Sequence, residues 1–300
     1  MAGLEEIKAE SECVGRFAPS PTGLLHRGSL YAAVGSFLHA RHQGGRWLLR
    51  VEDLDPPREQ PGSAQSIIDT LAAFGLDWDG EIVWQSQRHA LYAEALQQLS
   101  KDGHVFRCAC SRRDLAGAGT HREPCIRPYE AGAEYALRLR VGDQIVGMMD
   151  ALQGPYEQDL AIEVGDVVLQ RRDDYYAYQL AVVVDDAQQG VTEVVRGSDL
   201  LDSTPRQIFL QHQLRLPTPS YLHLPVLLDT DGQKLSKSRY APAIEPARAC
   251  SELRLMLRLL GQGPVSAATP SALLAKAVAE FDPNKLPRVG HFPADAVLEP

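Results

Sequence analysis

No apolar run in this chain approaches the roughly 18 residues that a membrane-spanning helix needs. Basic residues do not outnumber acidic ones: 30 Lys and Arg stand against 39 Asp and Glu, for a formal net charge of −9. A protein that held nucleic acid through its overall field would be basic, so any RNA contact must come from a local patch or from shape. Cysteine is scarce, and its count of 5 is odd. That excludes a fully paired disulfide framework and fits a reducing, cytoplasmic compartment. The opening residues are polar and acidic, which excludes a secretory signal or a transit peptide. Residues 1–13 read as a flexible leader. Internal repeats and low-complexity segments are missing as well.

What is present is the composition of a soluble globular protein: 300 residues, 44% hydrophobic and 23% charged, enough for one large or two modest domains. Val14 to Phe17 is a short strand candidate. Two prolines and a glycine then force a turn through Pro19, Pro21 and Gly23. After Gly28 the apolar residues Leu30, Ala33, Val34, Phe37 and Leu38 recur at helical spacing. Strand, tight loop and helix in that order gather backbone N–H groups at a helix N-terminus, an arrangement suited to phosphate. Trp47 to Val51 is a second strand, closed by Glu52, Asp53 and Asp55. Carboxylates past the carboxyl end of a strand lie where open α/β sheets bind ligand. Helix patterns follow at Ala64 to Phe74 and His89 to Lys101, with Gly103 as a stop. The alternation implies βαβ units on a parallel sheet.

The character changes at Val105. Cys108, Cys110, His121 and Cys125 form a Cys-x-Cys pair and a His-x3-Cys pair. Such a set closes a tetrahedron around Zn(2+), and a site filled on all four corners is structural. Tyr135 to Arg140 alternates like a strand. Asp173 to Asp186 is apolar in its middle and acidic at its ends, and periodicity leaves strand and helix both open. Val191 to Asp199 reads as a strand, Pro205 opens a helix to Leu214, and Tyr221 to Leu228 is the last sheet-like run. A turn at Asp229 to Gly232 delivers Lys234-Leu235-Ser236-Lys237-Ser238. Beyond Ala241 the pattern is helical, with Leu253, Met256, Leu257, Leu259 and Leu260 on one face, and it tails off to Pro300.

His26-Arg27-Gly28-Ser29 resembles the "HIGH" signature of class I aminoacyl-tRNA synthetases, with Ser29 in place of its last histidine. Arg16 to Gly23 is similar to the glutamate-specific version of the stretch before it, and Lys234 to Ser238 resembles the second, "KMSKS", signature, with leucine for methionine. The resemblance implies an α/β fold: a Rossmann-type catalytic domain in two halves, 14–104 and 171–233, a zinc-containing insert at 105–170, and a signature loop with a short helical region at 234–300. It implies that ATP, as Mg-ATP, is contacted by His26, Gly28, Ser29, Lys234, Ser236 and Lys237, with His26, Lys234 and Lys237 carrying the catalysis. It implies that L-glutamate is held by Arg16, Phe17, Ala18, Pro19, Ser20, Glu52, Tyr178 and Arg196. Two arginines and one acid complement a substrate with two carboxylates and one ammonium; the plainer alternative is that Arg16 and Glu52 pair with each other.

Only residues 239–300 follow the second signature, too few for the anticodon-binding part of full glutamyl-tRNA synthetases. The chain is therefore similar to the short, anticodon-domain-less branch of that family. Its members transfer glutamate to the queuosine base in the anticodon of tRNA(Asp). Where members of that branch carry a tyrosine as fourth zinc ligand, this chain has His121. Arg112, Arg113, Arg248, Arg254 and Arg258 are candidates for RNA backbone contacts, and a monomer is expected. Two alternatives stay open at this point: a truncated glutamyl-tRNA synthetase that charges a tRNA 3′ end, and a non-catalytic RNA-binding paralogue.

Overall fold

The computed structural model describes residues 12–115, 120–122, 125–229, 231–233, 244–293 and 296. Most of the leader and the second signature, Lys234 to Ser238, lie outside the described residues.

Strand β1 (Val14–Phe17) is buried along its whole length. Gly15 leaves room for helix α1 (Arg27–His42) to lie close, since a Cβ there would sit 3.1 Å from that of Ala40. The apolar stripe read from the sequence is the buried face of α1. The helix starts at Arg27, earlier than its apolar spacing shows, because His26 caps it: the ring accepts from the Ser29 N–H. Strand β2 (Arg46–Val51) pairs parallel with β1. After helix α2 (Ser63–Ala73), strand β3 (Val83–Trp84) pairs parallel with β2. Helix α3 (His89–Lys101) closes this half.

Strands β4 (Val105–Cys108), β5 (Ala136–Leu139) and β8 (Val167–Gln170) make an antiparallel sheet in the order β4-β5-β8. Between them lie the short helix α4 (Arg112–Leu115), the hairpin β6 (Ile145–Asp150) and β7 (Gly154–Asp159), and the short helix α5 (Leu160–Glu163).

The ambiguous apolar run is helix α6 (Tyr178–Gln188). Leu180 to Asp186 are buried without a break, so the helix has no polar face for periodicity to reveal. Strand β9 (Glu193–Gly197), helix α7 (Thr204–Leu214) and strand β10 (Ser220–Leu224) follow, with β9 and β10 parallel. The Thr192 N–H donates to the Val14 carbonyl at 3.0 Å, which sets β9 beside β1. The two halves thus meet edge to edge, as in a doubly wound α/β fold.

The tail departs from the expected helical ending. Strand β11 (Val226–Leu227) precedes helix α8 (Ala249–Leu259) and helix α9 (Pro270–Glu280), and the chain then returns as strand β12 (His291–Phe292), parallel to β11. Two residues are too few to show alternation, so the sequence hides this strand. Phe292 is fixed edge-on to Tyr31 of α1. One apolar core joins α1, β2, α2, α8 and α9; a second joins α3, α6 and α7 to β5 and β8.

Candidate active site

The residues proposed to hold glutamate come together from four elements. Arg16 lies in β1, Glu52 just past β2, Tyr178 at the first turn of α6 and Arg196 in β9. The Pro/Gly turn is laced to this place: the Glu52 N–H donates to the Pro19 carbonyl at 3.0 Å, and Gly23 N–H donates to Ser63 Oγ at 3.0 Å. Ser20, Glu52 and Tyr178 line a cleft of about 760 Å³ that reaches Cys110, Ser111 and Arg138 across the antiparallel sheet. Arg16 and Arg196 are 4% and 6% exposed; burial raises the Tyr178 phenol and the charges of both arginines pull it back down. Phe17 is turned into the core, stacked on Trp47 at 6.2 Å.

Arg16 and Glu52 do not pair with each other. Arg16 Nε donates to Asp186 Oδ1 at 3.2 Å, and Glu52 Oε1 accepts from Arg50 Nη2 at 3.2 Å. Arg50, fully buried, joins the two: its Nη1 donates to Asp186 Oδ1 at 2.8 Å and to Gln189 Oε1 at 2.7 Å. Asp185 lies 3.9 Å from Arg50 Nε and accepts from Gln85, Arg88 and Tyr92. Burial pushes the Asp186 carboxyl up, but Arg16 and Arg50 outweigh it and hold it below the usual carboxylate range. Burial wins at Glu52, whose carboxyl stands above its ordinary value despite Arg50 and Arg16. Sequence reading passed over this network. Its one visible sign was the acidic end of an otherwise apolar stretch, Asp185-Asp186.

The nucleotide-side residues lie at the start of α1. His26 Nδ1 accepts from Ser29 N–H at 3.3 Å, and His26 Nε2 lies 3.0 Å from Ser29 Oγ. Arg27 is clamped by Glu252 of α8 through two bonds at 2.9 and 2.7 Å. Lys234, Ser236 and Lys237 lie outside the described residues. The described chain resumes at Ile244, whose N–H donates to the Leu25 carbonyl at 3.4 Å, one residue before His26.

Cys108, Cys110, His121 and Cys125 converge, with all four ligand atoms within 4.8 Å of one another. Cys125 Sγ is 3.7 Å from both Cys108 Sγ and Cys110 Sγ, and His121 Nε2 is 3.3 Å from Cys108 Sγ and Cys125 Sγ. A tetrahedral ion with metal–sulfur bonds of about 2.3 Å requires sulfur–sulfur edges of about 3.8 Å, so the group can hold such a metal. His121 Nδ1 faces Asp166 Oδ2 at 2.8 Å, the contact that orients a ligating imidazole with its Nε2 toward the ion. Gly165 (φ 69°) makes that contact possible: a side chain there would meet the His121 carbonyl at 2.3 Å, in the strand-like bridge that carries Asp166 into place. Asp166 gave no signal in the sequence. Of the proposed RNA-contact arginines, Arg254 is bound to the carbonyls of Val265 and Ala267 and so braces a loop.

Parallel strands meeting at β1 and β9, a histidine-capped helix after the first of them and a charged pocket at their ends define a class I aminoacyl-tRNA synthetase catalytic domain. Residues 12–125 and 120–258 match the family described as "tRNA synthetases class I (E and Q), catalytic domain". The crystal structure of the glutamate-tRNA synthetase from Elizabethkingia anophelis shares the fold, with a TM-score of 0.79 at 24% identity over 95% of this chain and 69% of that one. The glutamyl-Q tRNA(Asp) synthetase of Xanthomonas axonopodis pv. citri is 55% identical over 92% of this chain and 93% of its own length. That of Neisseria meningitidis serogroup B is 53% identical over 91% and 97%. The chain belongs to the glutamyl-Q tRNA(Asp) synthetases. No helix among the described residues is long and apolar enough to cross a membrane.

Proposed function

We propose that this protein activates L-glutamate with ATP and transfers it to the queuosine base in the anticodon of tRNA(Asp), a reading supported by relatives named glutamyl-Q tRNA(Asp) synthetase. A glutamate carboxylate attacks the α-phosphate of ATP, and pyrophosphate leaves. A hydroxyl of the cyclopentenediol then attacks the adenylate carbonyl; its proton is lost and AMP leaves. A vicinal diol on a five-membered ring imitates the 2′,3′-diol of a terminal adenosine, the acceptor of a synthetase that charges a 3′ end.

No covalent link to the protein is needed, so catalysis rests on positioning and charge. Arg16 and Arg196 receive the two carboxylates of glutamate, since a guanidinium fork suits a carboxylate. Glu52 receives the ammonium, and Ser20 and Tyr178 donate hydrogen bonds. His26 donates toward the phosphates at the start of α1. Lys234 and Lys237 meet the charge that grows on pyrophosphate. Magnesium arrives on ATP. Zinc in the Cys3His group ties the loops between β4 and β5 into one body. The protein acts in the cytoplasm as a monomer.

One observation carries the reading: two buried arginines and one acid, none of them paired with another, stand close enough to Tyr178 to act on its phenol from the ends of β1, β2 and β9. ATP–pyrophosphate exchange without tRNA tests it. Exchange supported by glutamate and by neither glutamine nor aspartate is expected; exchange with another amino acid, or with none, refutes it.

A further inference from the structure

We propose that His223 and Asp150 are positioning residues for the glutamate site, a relay that fixes the plane of the Arg196 guanidinium and leaves one edge of it for the substrate carboxylate. The inference rests on the glutamate reading above and adds two residues with no place in it.

The parallel register of β9 and β10 sets His223 directly opposite Arg196. Arg196 Nε lies 3.0 Å from His223 Nε2. A guanidinium only donates, so this ring nitrogen must be the acceptor and carries no proton. The ring proton is then on Nδ1, which faces Asp150 Oδ2 at 2.6 Å. Asp150 is committed as an acceptor: its Oδ1 takes the N–H groups of Leu152 at 3.0 Å and Gln153 at 2.8 Å, and the His223 N–H reaches both oxygens. Burial pushes this carboxyl up, yet His223 and those backbone donors bring it below its ordinary value, while burial keeps the imidazole neutral. Thr204 Oγ1 lies 3.1 Å from the same Nε2 and can donate to it as well, so Nε2 as acceptor and Nδ1 as donor is the order that satisfies Asp150, His223 and Arg196 together.

The rest of the guanidinium is held as well. Nη2 donates to Thr204 Oγ1 at 2.7 Å, and the Tyr221 ring lies 5.4 Å from Cζ, itself stacked beside the His223 ring. Nη1 alone is buried with no hydrogen-bond partner among the described residues. A buried N–H without an acceptor is costly, and a carboxylate oxygen would satisfy it. Arg196, His223 and Asp150 are 6%, 0% and 2% exposed, so water does not substitute for any link. Asp150 comes from the β6–β7 hairpin, outside the parallel strands. The relay thus seats that hairpin on the residue that reads the substrate.

Three variants separate orientation from packing. His223→Leu fills the space and removes the acceptor. His223→Gln returns an amide oxygen near the place of Nε2. Asp150→Asn keeps its oxygen on the backbone donors and turns an amide nitrogen toward Nδ1. The ring proton must then move to Nε2, donor against donor with Arg196. In ATP–pyrophosphate exchange, His223→Leu and Asp150→Asn should raise the glutamate KM at least about tenfold while the ATP KM stays within about twofold. His223→Gln should recover most of that loss, and Asp150→Asn should add little in the His223→Gln background, because glutamine has no tautomer to flip. Nitrogen-15 NMR should find the His223 proton on Nδ1 in the native protein and on Nε2 in Asp150→Asn, a reading that stands even if His223→Leu does not fold. The relay is overturned if His223→Gln is as impaired as a folded His223→Leu, if the glutamate and ATP requirements rise together, or if the native ring proton is on Nε2. A native protein that exchanges with glutamate while the variants keep its KM overturns the relay alone; one that exchanges with no amino acid overturns the glutamate reading beneath it.

Discussion

In the metal cradle four donors come from one stretch of chain, Cys108 to Cys125. In the proposed glutamate pocket Arg16, Glu52, Tyr178 and Arg196 come from β1, the turn after β2, α6 and β9, and some of the groups that hold them, His223 and Asp150, come from β10 and β6. The cradle needs only local folding to bring its ligands within 4.8 Å, and a bound ion would supply the rest of its cohesion. The pocket needs the whole α/β fold. Its charges are held apart from one another by partners, Asp186 for Arg16 and Arg50 for Glu52. A binding site with unlike charges at close quarters would otherwise collapse onto itself. Linking each through a buried intermediary leaves both available to a ligand.

If that contrast is right, damage to the pocket's supports should be felt by the whole fold. Arg50→Met leaves Glu52, Asp185 and Asp186 buried beside one fewer cation, and should cost about 3–5 kcal/mol of stability along with glutamate activation. Denaturant unfolding at neutral pH measures it; a loss within experimental error would mean the carboxylates find other partners. Arg196→Ala, in the same pocket but outside the Arg50 network, should act mainly on binding, with a smaller cost in stability because it strands the buried acceptors on His223 and Thr204. A glutamate KM raised about 10- to 100-fold with the ATP KM unchanged is the expected pattern in exchange kinetics.

Acid should separate the pocket's two carboxyls. Glu52, raised by burial, takes a proton at a higher pH than an ordinary glutamate and so loses its hold on the substrate ammonium first. Asp186 is depressed, so the stability it contributes is complete above the unfolded carboxyl value and is lost only as pH falls through its lower folded value. Glutamate affinity should therefore fall on acidification before the protein unfolds, and Glu52→Gln should abolish that dependence. Coincident loss of binding and fold would contradict the assignment. The smallest effect belongs to the cradle. Asp166→Asn leaves all four ligands but weakens the fixing of His121, and should lower metal affinity about 10-fold in a chelator competition. Unchanged affinity would show that the His121–Asp166 contact has no part in holding the ion.

The same contrast explains what could be read from the amino acids. Donors close in sequence announce a metal site by spacing alone, and the structure brings together the four that spacing chose. The signature around His26 and the acid after β2 were legible because a loop and a strand end have local composition. Asp166, Asp150 and His223 were silent, since each acts through a partner far away in the chain. Helix α6 was ambiguous for another reason: burial on every side erased the polar face that would have told helix from strand. Strand β12 pairs with β11, so its cue lies in a distant partner rather than in its own two residues.

The central claim is that this pocket makes glutamyl-adenylate for a modified anticodon base. Labelled glutamate and ATP should be given to the purified protein with two samples of tRNA(Asp), one carrying queuosine and one carrying guanosine at that position, each with its terminal adenosine removed. Label on the queuosine sample alone is the predicted result. Label on neither, with glutamate-dependent exchange intact, would contradict the acceptor named here.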